Sequence, residues 1–157
     1  MILRFPEFSR DMRRGEDAAV DDLLARAFSH PHASRRIAAL RRSGDIVGEV
    51  VLPFQGGIVG YYALAQMKAP AGWLCLATVA IDPGWQGSGH GRRLMGVLSE
   101  WARLSGQSVI ATGPEAFLTR SGFGASPVEG TFLAGPGVDM PHVTATYPPA
   151  FQAYPCG

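Results

Sequence analysis

Cysteine is scarce in this 157-residue chain: Cys75 lies in an apolar run and Cys156 sits beside the C-terminus. Two thiols so placed build no disulfide framework and match no metal-ligand spacing, which points to a reducing compartment. Long apolar runs are missing too. No window approaches a bilayer span, and Met1 to Gly15 has no apolar h-region, so a cytoplasmic protein without a membrane partner is expected. Charge of one sign is also lacking, because 14 Lys and Arg against 13 Asp and Glu leave a formal net charge of +1. No general attraction to nucleic acid follows from that balance. Internal repeats and composition breaks are absent, so residues 1–157 are expected to form one domain, long enough to bury a core.

What the chain does have is a strand, a glycine loop and a helix start in immediate succession. Val79-Ala80-Ile81 ends in an Asp82-Pro83-Gly84 turn; Trp85 and Gln86 follow, then Gly87, Gly89 and Gly91 alternate with Ser88 and His90. A helical pattern opens at Arg92-Arg93-Leu94-Met95. Small residues let a ligand approach the backbone, and the first helical turn offers unpaired N–H groups at the positive dipole end. Such a place holds phosphate. A P-loop reading fails, since His90 stands where a lysine is needed after Gly89. A dinucleotide fingerprint fails as well, since Arg92 occupies its third glycine position. The spacing Q/R-x-x-G-x-G/A fits in register at Gln86, Gly89 and Gly91.

This segment resembles the acetyl-CoA-binding motif of the GCN5-related N-acetyltransferase (GNAT) superfamily. Downstream, Ser108 to Thr112 reads as a strand, followed by Gly113-Pro114 and a short helical segment ending Arg120-Ser121-Gly122-Phe123, which is similar to the family's second landmark. Pro114-Glu115, the Gly-Phe pair and Tyr147-Pro148-Pro149-Ala150-Phe151 together resemble a bacterial branch of that superfamily. The resemblance implies coenzyme A, carrying acetyl, as cofactor. It implies that the amides of Gln86, Gly87, Ser88, Gly89, His90, Gly91 and Arg92 hold the pyrophosphate. It further implies that Val79, Ala80 and Ile81 bind pantetheine through backbone groups, the Val79 N–H facing the thioester oxygen. The reaction implied is direct acetyl transfer, in a ternary complex, to a primary amine of a small molecule or a protein. A CoA-binding regulatory or interaction domain with weakened turnover is the alternative, and either a monomer or a homodimer is compatible.

The chemistry needs a proton acceptor for the amine and a proton donor for the thiolate. The family's usual donor, a tyrosine on the short helix, falls on Leu118, which cannot donate. Thr119, Ser121 or water remain as substitutes. No glutamate lies in Trp73 to Ile81; Glu115 and Glu49 are the candidate bases. His90 reads as an exposed loop residue and Trp85 as a packing anchor. No His or Cys pair has metal-ligand spacing. The arginines of the first third, interleaved with acids, read as a solvated helical surface, with a rim for an anionic acceptor or the CoA 3′-phosphate as the lesser alternative.

The remaining pattern predicts an α/β fold: a mixed, mostly antiparallel central sheet with flanking helices and a parallel β-α-β cofactor unit. Ile2 to Phe5 reads as a short edge strand, Gly15 to Phe28 and Ala33 to about Arg42 as helices, and Ile46–Pro53 with Ile58–Met67 as a hairpin. Trp73 to Ile81 is the third strand. After the glycine loop, Leu94, Met95, Leu98, Trp101 and Ala102 share one helical face. Thr131–Leu133 and His142–Tyr147 are expected to pair as a closing hairpin.

Overall fold

The computed structural model describes residues 8–137 and 143–155. Its strands are β1 (Arg10–Asp11), β2 (Ile46–Phe54), β3 (Gly57–Gln66), β4 (Leu74–Ile81), β5 (Val109–Ala111), β6 (Gly124–Ala125) and β7 (Phe132–Ala134). Its α-helices are α1 (Asp17–Ala27), α2 (His32–Ser43), α3 (His90–Ser105), α4 (Glu115–Arg120) and α5 (Ala150–Ala153). The strands form one sheet in the order β1-β2-β3-β4-β5-β7-β6, antiparallel throughout except for the β4–β5 pair. The sheet class expected from the sequence is the one observed.

Helices cover both faces, and that explains the texture of β3. Ile58 to Ala65 is buried without interruption, as a strand covered on two sides must be. Tyr61 packs with Val20, Leu23, Leu24, Ile37 and Leu40 of α1 and α2, while Tyr62 faces Leu94, Met95 and Leu98 of α3. Alternation along a strand requires that split. Gly44 (φ +77°) and Gly106 (φ +70°) close α2 and α3 in the left-handed conformation, where a Cβ would be strained.

Several expectations need correction. Trp101 is 45% exposed, off the buried face formed by Leu94, Met95, Leu98 and Ala102. It lines a cavity of about 970 Å³ along the outer side of α3, with Leu52, Val97 and Leu104; among the described residues no helix covers that margin of the sheet. The expected closing hairpin does not form. Thr131 stays outside the strand; β7 pairs instead with β5 and with β6, a two-residue strand too short to read from periodicity. From Val143 to Tyr147 only Thr146 makes a bridge, to Ala69, and Pro148-Pro149 ends any further pairing. The expected strand Ile2–Phe5, together with His142 and Cys156, lies outside the described residues.

The entry to α1 is set by electrostatics. Arg10 grips Glu16 with two parallel bonds of 2.8 and 2.9 Å, and the Arg13 N–H donates to the same carboxylate at 2.5 Å. The Arg10 bond is the main cause that brings the Glu16 pKa down to about 2. A depressed carboxylate stabilises the fold above its unfolded pKa and loses that contribution as pH falls toward the folded value. At this partly solvated site the pair should contribute roughly 1 kcal/mol. Glu16→Gln is therefore expected to flatten the decline in denaturation midpoint between about pH 5 and pH 2. An unchanged slope in the variant would refute the assignment.

Candidate active site

β4 and β5 touch only at their beginnings. Leu74 pairs with Val109 and Cys75 with Ile110; beyond these pairs the strands part, leaving Leu76 to Ile81 without a strand on that side. The divergence coincides with a β-bulge at Ala77, between the pairs Ala63↔Thr78 and Leu64↔Leu76 of the β3–β4 ladder. The Asp82 N–H donates to Val59 O, so Asp82 belongs to the β3 ladder. Alternation then turns the peptide groups of Val79 and Ile81 away from β3, into the gap, while those of Ala80 face β3. The Ile81 carbonyl is already taken by Gln86 Nε2 at 2.9 Å. Past the bulge, the unengaged groups of β4 turned into the gap are thus the Val79 N–H and C=O and the Ile81 N–H.

The glycine loop closes the far end of this gap. Pro83–Trp85 forms a single 3₁₀ turn, capped by Asp82 Oδ1, which accepts from the Gly84 N–H at 2.9 Å. Asp82 Oδ2 is held by Arg26 Nε at 2.9 Å. Gly87 and Gly89 both adopt φ near +80° (82° and 81°), and Gly89 is the N-cap of α3. Left-handed residues among right-handed ones curl successive amides around a concavity suited to anions. The Gln86 N–H leans weakly on Pro83 O at 3.4 Å. Among the described residues no acceptor engages the amides of Gly87, Ser88, Gly89, His90, Gly91 or Arg92, and Arg93 N–H is the first to bond within the helix, to Gly89 O at 3.0 Å. Six consecutive unengaged donors converge at a helix start.

Side chains of the loop take different parts. Gln86 braces the loop to β4 through its amide. Ser88 and Arg92 are exposed, whereas His90 is only 7% exposed. The expectation of an exposed His90 is corrected: its ring packs on Trp85 with centroids 5.4 Å apart, and Arg93 Nη2 lies 2.6 Å from its Nδ1. Burial, helped by Arg93, lowers its pKa and keeps the ring neutral. Trp85 itself is buried against Phe54, as a packing anchor should be. A Cβ on Gly91 would sit 3.4 Å from Ile81 Cγ1 and 3.5 Å from a ring carbon of Phe117, so this glycine marks where α3, β4 and α4 meet.

On the opposite face the gap opens into a cavity of about 1020 Å³. Leu76, the first β4 residue past the paired segment, lines it together with Ala111, Thr112, Glu129 and Tyr147. Arg36 holds this wall together. Its Nη1 donates to the bulge carbonyl of Ala77 at 3.1 Å, Nε to Tyr154 O at 2.9 Å and Nη2 to Phe151 O at 3.4 Å, with the guanidinium 4.1 Å from the Phe151 ring centroid. His32 Nδ1 meets Pro155 O at 2.8 Å and pins the same C-terminal stretch. Sequence reading placed Arg36 on a solvated surface. Its spacing from Ala33, Ile37 and Leu40, at i+3 and i+4 along one apolar face, was the available signal that it points inward.

The candidate catalytic side chains are scattered. Glu115 and Thr119 are exposed on α4, and neither lines the cavity on which Thr112 opens. The Thr119 hydroxyl donates to Glu115 O at 2.8 Å and the Ser121 hydroxyl to Phe117 O at 2.7 Å, both within the helix turn. Glu49 is engaged by Tyr61 Oη at 2.5 Å and Arg41 Nη2 at 2.7 Å, an ion-pair network beneath α1 and α2. Leu118 is 1% exposed and packed in the α3 core.

The fold has counterparts among known proteins. Residues 6–121 match the model of the acetyltransferase (GNAT) family, and the chain belongs to that family. Its chemistry is therefore that of an acyltransferase. A GNAT family acetyltransferase from Brucella melitensis, solved in complex with acetyl-CoA, is 24% identical, with 92% of this chain and 97% of that one covered and a TM-score of 0.80. The N-acetyltransferase YhbS from Escherichia coli, solved with CoA, is 20% identical over 97% and 95% of the two chains, with a TM-score of 0.81. The ribosomal-protein-S18-alanine N-acetyltransferase of Escherichia coli is more distant, with 15% identity, 87% and 98% coverage and a TM-score of 0.64. At these identities the likeness is one of fold. No curated protein matched the sequence. Among the described residues no helix is long and apolar enough to cross a membrane.

Proposed function

We propose that this protein is an N-acetyltransferase that moves the acetyl group of acetyl-CoA to a primary amine within a ternary complex. The carrying observation is the set of six unengaged amides from Gly87 to Arg92 at the end of the β4–β5 gap. Acetyl-CoA is the cofactor that family membership and the two CoA-containing relatives support. The residues present suit it. Amides at positive-φ glycines accommodate a diphosphate, Arg92 stands exposed beside them, and the free edge of β4 suits an amide-bearing arm. When bound, the group supplies an activated thioester.

The chain's own residues do the rest. The loop amides fix one end of the donor and the Val79 and Ile81 groups align its arm, so that the cavity beneath Leu76 and Thr112 presents the amine in line. The Val79 N–H, turned into the gap, donates to the oxygen on which negative charge grows. Gln86 keeps that strand end rigid through Ile81 O. Glu115 and Thr119 do not line this cavity and are assigned no step. The acceptor, a small molecule or an exposed protein amine, enters from the α2 side.

Titration calorimetry with acetyl-CoA, followed by thiol release against a panel of primary amines, tests the reading. Micromolar binding and amine-dependent release are expected. Failure to bind acetyl-CoA overturns the whole assignment. Binding without release across the panel would instead favour a CoA-binding regulatory domain, the reading that Leu118 in the place of a proton donor keeps in view.

A further inference from the structure

With Leu118 sealed in the core, the position of the family's usual donor supplies none for the departing thiolate. Resting on the acetyl-transfer reading above, we propose that the Tyr147 hydroxyl is the donor, reaching the sulfur from the face of the sheet opposite α4. Strand pairing ends at Cys75↔Ile110, and the gap begins with Leu76 and Ala111. Tyr147 lines the same cavity as those two residues and as Thr112, the cavity into which the gap opens. Its ring is fixed by Phe151, centroids 5.0 Å apart, and Phe151 is in turn held by Arg36. Among the described residues the phenol makes no hydrogen bond, although the residue is half-buried.

The charged and titratable groups around it are Cys75 from β4, Arg36 from α2 and Glu129 from the segment joining β6 to β7. Burial raises the phenol, the buried Cys75 adds in the same direction, and Arg36 opposes them. The group therefore keeps its proton at neutral pH, as a donor must. In the step itself the amine nitrogen bonds to the acetyl carbon and the C–S bond breaks, its electron pair going to sulfur. The thiolate takes the Tyr147 proton, and the phenolate regains one, through water, from the ammonium that the attacking amine has become.

Direct titration of bound CoA tests this without knowledge of the acceptor. Thiolate absorbance of the complex is followed against pH in the native protein and in Y147F, with CoA affinity measured alongside. A hydrogen bond from the phenol favours the thiolate, so the variant should show about a tenfold smaller thiolate fraction at neutral pH, at unchanged CoA affinity. Superimposable titration curves overturn the proposal. Should Y147F lose CoA affinity, 3-fluorotyrosine at position 147 keeps the packing and makes the phenol a stronger donor; an unmoved thiol titration then overturns it equally. Failure of the native protein to bind CoA would instead bring down the acetyl-transfer reading itself.

Discussion

Gly89→Val should weaken acetyl-CoA binding at least a hundredfold, about 2.7 kcal/mol, while the protein remains folded. Gly89 holds φ +81° at the N-cap of α3, and a Cβ there would meet nothing closer than the guanidinium ends of Arg92 and Arg93 at 3.8 Å. The added side chain has space; what it cannot have is the backbone conformation. A β-branched residue forced to positive φ costs roughly 1–2 kcal/mol of stability or pulls the loop out of shape. In either event the amides of Gly87 to Arg92 no longer converge. Gly96→Ala, in the middle of the same helix with nothing within 4 Å, should leave affinity unchanged. Equal affinity for the Gly89 variant and the native protein would end the phosphate-loop assignment.

Gly91 is not an equivalent test. The sequence suggests that bulky residues at Gly89 and Gly91 would remove binding and spare the fold, but Gly91 abuts Ile81 and Phe117. A large side chain there would press α3 away from β4 and α4, so lost binding would be mixed with lost stability.

The largest stability effect is expected far from the loop. Gly135, at φ +95°, sits so close to the turn before β5 that a Cβ would lie 1.9 Å from Gln107 O and 2.8 Å from its carbonyl carbon. Both contacts are with backbone, and the Gly137 N–H bond to Ser108 Oγ (2.9 Å) ties the same turns together. Gly135→Ala must shift either β7 or the approach to β5, adding overpacking to an unfavourable φ, on the order of 4 kcal/mol together. That is a large fraction of a domain's usual net stability. Urea denaturation should show the loss, with Gly124→Ala, open on all sides, as a near-neutral control. A Gly135 variant within about 1 kcal/mol of the native protein would contradict the close approach.

Much of this was legible in the chain, and the reasons are local. The α1 repeat, Val20, Leu23 and Leu24, is fixed by helix geometry, and the hairpin by two apolar, β-rich runs around Gln55-Gly56. The loop was legible because positive φ and close approach restrict the residue type almost to glycine. Pairings that join distant segments were not. β6 and β7 span two and three residues, too few for periodicity, and their register depends on where β5 lies. Arg36 was hidden for a similar reason. Its basic neighbours suggest solvent, and the buried guanidinium finds its partners in the carbonyls of Ala77, Phe151 and Tyr154, all distant in sequence.

The sequence alone therefore determined the longer helices and strands, the family and the position of the glycine turn, since each depends on residues within a few positions of one another. The tertiary structure decided that β4 and β5 part after one pair beyond their start, that His90 turns inward, and that Tyr147 lines the cavity on the face of the sheet opposite Leu118. Those outcomes depend on which buried polar groups find partners across the fold, and no local pattern encodes them.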